Sequence, residues 1–290
     1  MTSNYLEKAY TPSAWSQRLP PNEVTDVHFK VMTTGSKKVQ EKYSTESVLY
    51  GPYDSQKLEI VYQPEHNDDA PVIVFIHGGY WVEGCPENHM GIADQFVKHG
   101  AIYIAMGYDL APKVSMPEIV NQCKAAFAFI LNKFPKSRGI YITGHSAGGH
   151  LAARILEVDW VQQLQLTRNP IRGAVLMSGL YDLQPLLQMS VNNDVHMTED
   201  IAKQESPMTH VDDVGKYCSS VEVVHVVVGE MESPEFKQQS SDYARSCKAV
   251  GVNTEYRVVP HVDHFNLIEN LMKNDYILTQ ITQKMMGLNI

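Results

Sequence analysis

The chain has 290 residues, of which 43% are hydrophobic and 20% charged; this composition excludes a disordered chain and is sufficient for a large core. Its 24 basic and 33 acidic residues give a formal net charge of −9, which argues against nucleic acid or an anionic membrane as the main partner, because both require a basic surface. No apolar run approaches the ~20 residues that span a bilayer, the start of the chain is unlike a secretory signal, and the four scattered cysteines predict neither a zinc site nor a disulfide scaffold.

These limits favour a cytosolic protein, and the nucleus is a second candidate location. We expect one α/β domain over residues 1–290. A single sheet can organise a chain longer than the ~150 residues of an ordinary domain. Residues 1–45 are polar and weakly periodic, and we expect an N-terminal arm of short helices lying over the core. The polar stretch 182–220, with its scattered methionines, is expected to form a cap insertion.

Short continuous apolar runs, which are typical of buried parallel strands, recur from Leu58 onward. We predict strands at 72–76, 101–105, 139–142, 173–177, 221–228 and 255–259. Helical patterns lie between them, at 116–134, from 147 to about 157, after 233–234, and from 265 to about 286. Strands that alternate with helices predict a mostly parallel central sheet with helices on both faces.

A candidate nucleophile lies in the segment 144–149, which reads Gly-His-Ser-Ala-Gly-Gly. This G-x-S-x-G pattern ends a predicted strand and opens a helix at Ala147, the context in which a sharp turn exposes the hydroxyl of Ser146 above the sheet. The positive end of the helix dipole also points at such a turn. The neighbouring His145 and His150 point away from the hydroxyl at an elbow of this kind, so we expect both to pack.

Acyl transfer also needs donors for a developing oxyanion, and the segment His-Gly-Gly-Tyr-Trp at 77–81 follows the first strong strand. The backbone amides of Gly78 and Gly79, with that of Ala147, are predicted to form an oxyanion hole. Tyr80 and Trp81 are compatible both with core packing and with lining an acyl or aryl pocket. The first residue of the segment, a histidine upstream of the nucleophile, is expected to brace its loop.

In folds with this strand-turn-helix motif, a carboxylate and then a histidine follow the serine along the chain. His264 lies after the last predicted strand and before the last helix, and we favour it over His261 as the base. Glu232 lies in the turn after the strand at 221–228 and is favoured as the acid, with Asp182, Glu230 or no acid at all as the alternatives. The acid would hold the imidazole tautomer and stabilise the imidazolium without accepting the proton.

Taken together, these motifs resemble those of the animal-type kynurenine formamidases (arylformamidases) of the α/β-hydrolase superfamily. The resemblance covers nearly the whole chain. It rests on H-G-G-Y-W at 77–81, Y-D-L-A-P-K at 108–113, G-H-S-A-G at 144–148, S-G-L-Y-D-L at 178–183, S-P-E-F at 233–236 and D-H-F at 263–265. The combination of the last two motifs with the serine elbow is the most specific part of it.

The resemblance implies an α/β-hydrolase fold and hydrolysis of N-formyl-L-kynurenine to L-kynurenine and formate, the second step of tryptophan breakdown. It implies Ser146 as nucleophile, His264 as base and acid, a small-molecule substrate, no metal or organic cofactor, and a homodimer. The family usually reads G-x-H-D-S-P-E-F where this chain reads G-E-M-E-S-P-E-F. Glu232 therefore replaces an aspartate, with ~1.5 Å of extra reach.

Two other functions remain open at this point. A general carboxylesterase for small acyl esters would use the same catalytic groups. A non-catalytic relative that binds a small ligand would tolerate the exchange of Asp for Glu, but its intact serine and histidine argue against it. The N-terminal arm and the cap are the expected suppliers of side chains for the amino and carboxylate groups of a kynurenine.

Overall fold

The apolar runs of the sequence become neighbouring strands of one sheet in the computed structural model, which describes residues 3–289. The strands are β1 (Ser44–Leu49), β2 (Lys57–Tyr62), β3 (Val72–Ile76), β4 (Ile102–Met106), β5 (Ile140–His145), β6 (Ile171–Met177), β7 (Val223–Gly229) and β8 (Thr254–Val259). Their order across the sheet is β1-β2-β4-β3-β5-β6-β7-β8. The pairs β1–β2 and β2–β4 are antiparallel and all others are parallel, which confirms the predicted mostly parallel sheet.

Helices cover both faces of this sheet. They are α1 (Ser3–Ala9), α2 (Pro21–Lys42), α3 (Asp94–Val97), α4 (Met116–Lys133), α5 (Ala147–Leu156), α6 (Trp160–Gln163), α7 (Asn192–Val195), α8 (Glu199–Glu205), α9 (Val211–Tyr217), α10 (Pro234–Ala249), α11 (Asn266–Glu269) and α12 (Ile277–Met285). Short 3₁₀ helices occur at Pro12–Trp15, Pro86–Ala93, Gln184–Gln188, Pro207–His210 and Asn270–Met272.

Strand β3 shows why the central strands read as continuous apolar runs. Val72, Val74 and Ile76 belong to the core cluster that contains residues of α4, α5 and α10. Ile73 and Phe75 belong to the cluster on the other face, with residues of α2 and α12. Because successive side chains point to opposite faces and both faces are covered, every position of such a strand is buried.

Several elements differ from the sequence-based expectation, among them strand β2, for which no strand was predicted. The arm contains the 22-residue helix α2, whereas only short helices were expected. The sequence indicates this helix weakly, because just four of its residues are buried and its apolar periodicity is weak. Strand β1 is an additional edge strand that is mostly exposed and so lacks an apolar run. The helix expected from 265 to about 286 is broken into α11, a 3₁₀ turn and α12, with the polar stretch 273–275 between them.

The predicted cap, residues 182–220, consists of short helices and turns that pack on the sheet's own core cluster. Its buried apolar side chains include Leu183, Leu186, Val195, Ala202 and Val214. The arm also contributes to this cluster, through Leu6, Ala9 and Tyr10.

The glycines of the serine motif allow α5 to approach the sheet very closely. A Cβ atom on Gly148 would lie 2.0 Å from the carbonyl oxygen of Ile76 in β3, and one on Gly144 would lie 2.1 Å from the carbonyl oxygen of Gly148. Both clashes are with backbone atoms, which cannot move aside as a flexible side chain can. The motif therefore sets the distance between helix and sheet as well as the turn at Ser146.

Replacing Gly148 by alanine should consequently destabilise the fold by about 1–3 kcal/mol, the usual range for overpacking a filled site. Chemical denaturation of Gly148→Ala beside the wild type measures the loss. Gly251→Asn is the control, since the position has a φ of +87° but open space around it, and asparagine tolerates that backbone. A Gly148→Ala protein as stable as the wild type would contradict the close-approach argument.

Candidate active site

Ser146 occupies the turn between β5 and α5, where the sequence predicts it. Its φ of 55° and ψ of −120° lie in a region that residues other than glycine rarely adopt, a strain that is characteristic of functional turns. The backbone N–H of Ser146 donates to the carbonyl of Met177 over 2.8 Å, so the turn is tied to the end of β6. The following helix starts at Ala147 and directs its amino end at this position.

Glu232 and His264 form a buried pair at the same edge of the sheet. The Nδ1 atom of His264 lies 2.7 Å from Oε2 of Glu232, and the two residues are 4% and 3% exposed. The other carboxylate oxygen, Oε1, accepts from the Ser178 hydroxyl and from the backbone N–H of Gly229. The extra methylene of glutamate is thus accommodated, because each oxygen has its own partners.

The alternative acids and the alternative base make other contacts. The Asp182 carboxylate accepts from the backbone N–H of Gln184 over 3.0 Å. Glu230 accepts from the backbone N–H of His261 over 2.8 Å, at a site where the His261 side chain is 87% exposed. Of the three acids considered, Glu232 is therefore the one that the fold brings to His264.

A cavity of about 580 Å³ brings the candidate residues together. Ser146 and His264 both line it, as do Gly78, Gly79 and Tyr80. The remaining lining residues come from the segments 12–13, 25–32, 83–89, 145 and 265–268. The arm therefore forms one wall of the cavity, whereas no residue of the cap, 182–220, lines it.

Gly78 of the 77–81 segment lies directly against the serine turn. A Cβ atom on Gly78 would lie 3.0 Å from Cβ of Ser146, and Gly79 has a φ of +105°. Among residues 3–289, no acceptor is bonded to the backbone amide of Gly78 or of Gly79. Unpaired amides beside a serine turn are suited to bind a negatively charged oxygen.

The two aromatic residues of this segment, Tyr80 and Trp81, lie in different environments. Tyr80 lines the cavity, and its hydroxyl donates to the backbone carbonyl of Tyr10 in the arm. The indole of Trp81 is fully buried and donates to Nδ1 of His150 over 3.2 Å. Because Nε2 of His150 lies 2.7 Å from the carbonyl oxygen of Glu205, Trp81 and His150 form a bonded core pair, and core packing is the role of Trp81.

Several buried histidines lie near the Ser146 turn without adding charge to the site. Burial lowers the pKa of His77 to about 4 and that of His89 to about 3. Burial, together with the nearby His264, holds the pKa of His145 well below its ordinary value. His77 stacks on Tyr108 with ring centroids 4.4 Å apart, and its Nδ1 lies 2.8 Å from the carbonyl oxygen of Gly78, in agreement with the expected bracing of this loop.

No three His, Cys, Asp or Glu side chains in the described part of the chain are arranged to hold a metal ion. The helices of residues 3–289 likewise include none with the length and hydropathy needed to cross a membrane.

Sequence reasoning missed the contact between the arm and the loop that carries His264. Arg18 donates to Asp263 through Nε over 2.8 Å and to Glu269 through Nη1 over 3.1 Å. Nδ1 of His28 lies 2.9 Å from the Glu269 carboxylate. Arg18 and Asp263 are 245 positions apart, and no motif or periodicity connects them.

The two carboxyls of this contact have lowered pKa values. Burial alone would raise the pKa of Asp263, but hydrogen bonds from Arg18 and from the Ser16 hydroxyl outweigh it. Burial is likewise outweighed at Glu269, whose pKa is lowered by its bonds to His28 and Arg18. Both groups therefore remain ionised, and each is compensated by the arm.

Comparisons with known proteins agree with this geometry. A family model for the alpha/beta hydrolase fold matches residues 73–267. The chain is 37% identical to a kynurenine formamidase of Salmo salar over 99% of its own length and 97% of the relative's. It is 29% identical to a kynurenine formamidase of Drosophila melanogaster, with 93% of each chain covered.

Solved structures show the same architecture. A protein of Silicibacter sp. described as a thioesterase superposes with a TM-score of 0.76 at 26% identity, covering 95% of this chain and 98% of its own. The carboxylesterase EstE1, cloned from a metagenomic library, gives a TM-score of 0.70 at 18% identity, with 95% and 100% covered. The predicted α/β-hydrolase fold is thereby confirmed.

The contact through Arg18 predicts a dependence of stability on pH. Unfolded Asp and Glu take up protons near the ordinary values of 3.8 and 4.5, whereas folded Asp263 and Glu269 do so only at lower pH. The stabilisation is therefore complete above those ordinary values and is lost as the pH falls through the lowered ones. Arg18→Met should flatten this acid limb of the unfolding free energy.

Urea denaturation at several values between about pH 6 and pH 3 measures the slope. Arg172→Met is a matched control, because Arg172 has the same side-chain exposure of 32% but pairs with the exposed Glu222. An acid limb equally steep in Arg18→Met and in the wild type would contradict the assignment.

Proposed function

The chain belongs to the kynurenine formamidase family of α/β hydrolases, and on that premise we propose that it hydrolyses N-formyl-L-kynurenine to L-kynurenine and formate. The buried bond between Glu232 and His264, in a cavity shared with Ser146, is the observation that carries this proposal. The names of the relatives supply the substrate, and the geometry supplies groups suited to acyl transfer.

In the first half of the proposed reaction, the Ser146 hydroxyl attacks the formyl carbon while Nε2 of His264 removes its proton. Glu232 accepts the hydrogen bond from Nδ1, which holds the reactive tautomer and stabilises the imidazolium. The tetrahedral oxyanion is bound by the backbone amides of Gly78, Gly79 and Ala147. His264 then protonates the anilide nitrogen, and the C–N bond breaks to release kynurenine.

In the second half, water hydrolyses the formyl ester left on Ser146. His264 removes a proton from the water as it attacks the formyl carbon, and then returns a proton to the serine oxygen as formate leaves. Proton transfer through one imidazole in both halves requires no further acid or base. The ring centroid of His145 lies 4.4 Å from that of His264, and burial together with His264 holds the pKa of His145 well below its ordinary value, so it does not compete for the proton at neutral pH.

The size and lining of the cavity suit a small formanilide. Its volume of about 580 Å³ falls within the ~300–1,000 Å³ of typical ligand sites. An aryl amine is a better leaving group than an alkyl amine, because its nitrogen lone pair is delocalised into the ring. Asp26 and His28, contributed by the arm, are polar lining residues available to the charged amino-acid end of the substrate.

The partner of this site is a small molecule. A cytosolic location and a homodimer are further parts of the proposal, supported by the family resemblance. Cell fractionation and light scattering on the purified protein test them.

We expect the wild type to turn over N-formyl-L-kynurenine and Ser146→Ala to lose about 10⁴-fold or more of this activity. Release of formate and the absorbance of kynurenine measure it, and circular dichroism shows that the variant is folded. Comparing kcat/KM with that for p-nitrophenyl acetate separates the alternatives. A clear preference for the ester would favour a carboxylesterase, and a folded wild type inert on both substrates would favour a ligand-binding protein.

Glu232→Gln should lower kcat by about 10³–10⁴-fold, because an amide cannot hold the required imidazole tautomer and cannot stabilise the imidazolium. Asp182→Asn is the matched control and should keep near-normal kcat, since its carboxylate instead accepts from the backbone N–H of Gln184. Steady-state kinetics on N-formyl-L-kynurenine compare the two. If Asp182→Asn caused the larger loss, the acid would be wrongly assigned.

A further inference from the structure

The loop that carries His264 is bonded to the segment after β7 at its start, where the backbone N–H of Met231 donates to the carbonyl of Val262 over 3.0 Å. It follows β8, an edge strand bonded to β7 alone, and the four central residues of that strand are exposed. It leads into α11, a helix of only four residues. The hydrogen bond from Nδ1 to Glu232 orients the imidazole but does not fix the backbone from which His264 projects.

Asp263, the residue before His264, is instead held from both sides. Its Oδ1 accepts from the backbone amides of Phe265 and Asn266, over 3.0 and 2.8 Å. Its Oδ2 accepts from the Ser16 hydroxyl over 2.6 Å and from Nε of Arg18 over 2.8 Å. The arm therefore bonds the same carboxylate that closes the turn around the base.

Arg18 extends this contact to the other end of the loop. Its Nη1 and Nη2 atoms lie 3.1 and 3.3 Å from the two oxygens of Glu269, the last residue of α11. One guanidinium thus connects residues 263 and 269, which flank the base, and both carboxylates are buried at 2% and 8% exposure. A planar fork of fixed donors is suited to hold two carboxylates at a set separation.

We propose that Arg18 is a positioning residue, which holds the segment 263–269 from the arm and so sets the location of the His264 imidazole relative to Ser146. This inference rests on the proposed acyl-transfer role of those two residues. The expected effect on the reaction rate is large, because a displacement of ~1 Å in a catalytic group can lower a rate ~100-fold. The arm is then part of the catalytic apparatus as well as a wall of the cavity.

The test compares Arg18→Met with Arg172→Met, a control whose side chain is equally exposed and whose partner Glu222 lies far along the chain from the base. Arg18→Met should lower kcat for N-formyl-L-kynurenine by about 10- to 100-fold while KM changes far less, because the substrate still binds. Arg172→Met should keep the kcat of the wild type. A purely structural role would lower the melting temperature and leave kcat per folded molecule unchanged.

The rate at which a fluorophosphonate probe labels Ser146 provides a second readout that does not depend on the substrate. Labelling requires a serine activated by its base, so the rate per folded molecule should fall with kcat in Arg18→Met. If the wild type reacts with the probe but does not turn over N-formyl-L-kynurenine, the proposed substrate is wrong. The ratio of labelling rates still decides the role of Arg18 in that case.

Arg18→Lys covers the outcome in which Arg18→Met does not fold. Its ammonium keeps the charge but lacks the planar group that reaches both carboxylates. If both variants fold, kcat and the labelling rate of Arg18→Lys should lie between those of the wild type and Arg18→Met. If only Arg18→Lys folds, both quantities should lie below those of the wild type. Folded Arg18 variants with wild-type kcat and labelling rate would overturn the inference. An equal loss of kcat in Arg172→Met would also overturn it.

Discussion

A buried hydrogen bond between an imidazole and a carboxylate is the interaction around which this site is organised. Glu232 and His264 are almost inaccessible to water, and the second carboxylate oxygen is held by Ser178 and by the amide of Gly229. These groups come from the ends of β6, β7 and β8. Because parallel strands present their carboxyl ends at one edge, residues distant in the chain meet there, as is general for open α/β sheets. A buried carboxylate is tolerated only when it is bonded in this way.

The turn at Ser146 and the glycine loop at 77–81 depend on a different constraint, the close approach of helix α5 to strand β3. Gly144 and Gly148 permit that approach, and Gly78 lies against Ser146 on its other side. The absence of a side chain at Gly78 lets its backbone, with an amide that has no acceptor among residues 3–289, lie directly beside Ser146. The N-terminal arm completes the enclosure, lining the cavity and bonding the base loop through Arg18. Ser146, the Glu232–His264 pair, the glycine loop and the arm thus form one connected unit.

Local sequence patterns predicted the strands from β3 onward better than the elements that precede them. The strand at 72–76 and the helix starting at 116 have the predicted bounds or nearly so, because burial on both faces or along one stripe leaves a clear apolar pattern. Strand β1 and helix α2 are largely exposed, and their sequences resemble those of loops and short helices. The helix expected from 265 is interrupted at the polar residues 273–275. The break was not predicted because these residues include neither glycine nor proline.

Three features could be predicted from the sequence alone: the strand-turn-helix at Ser146, the glycine loop at 77–81 and the position of His264 after the last strand. These features are encoded by adjacent residues, because a tight turn or a close backbone approach demands glycine locally. The tertiary structure brings Glu232, and not Asp182 or Glu230, to His264, and it places Trp81 in the core while Tyr80 lines the cavity. It alone revealed Arg18 beside Asp263. Contacts across 245 positions follow from how the elements pack, and periodicity, a property of neighbouring residues, carries no information about them.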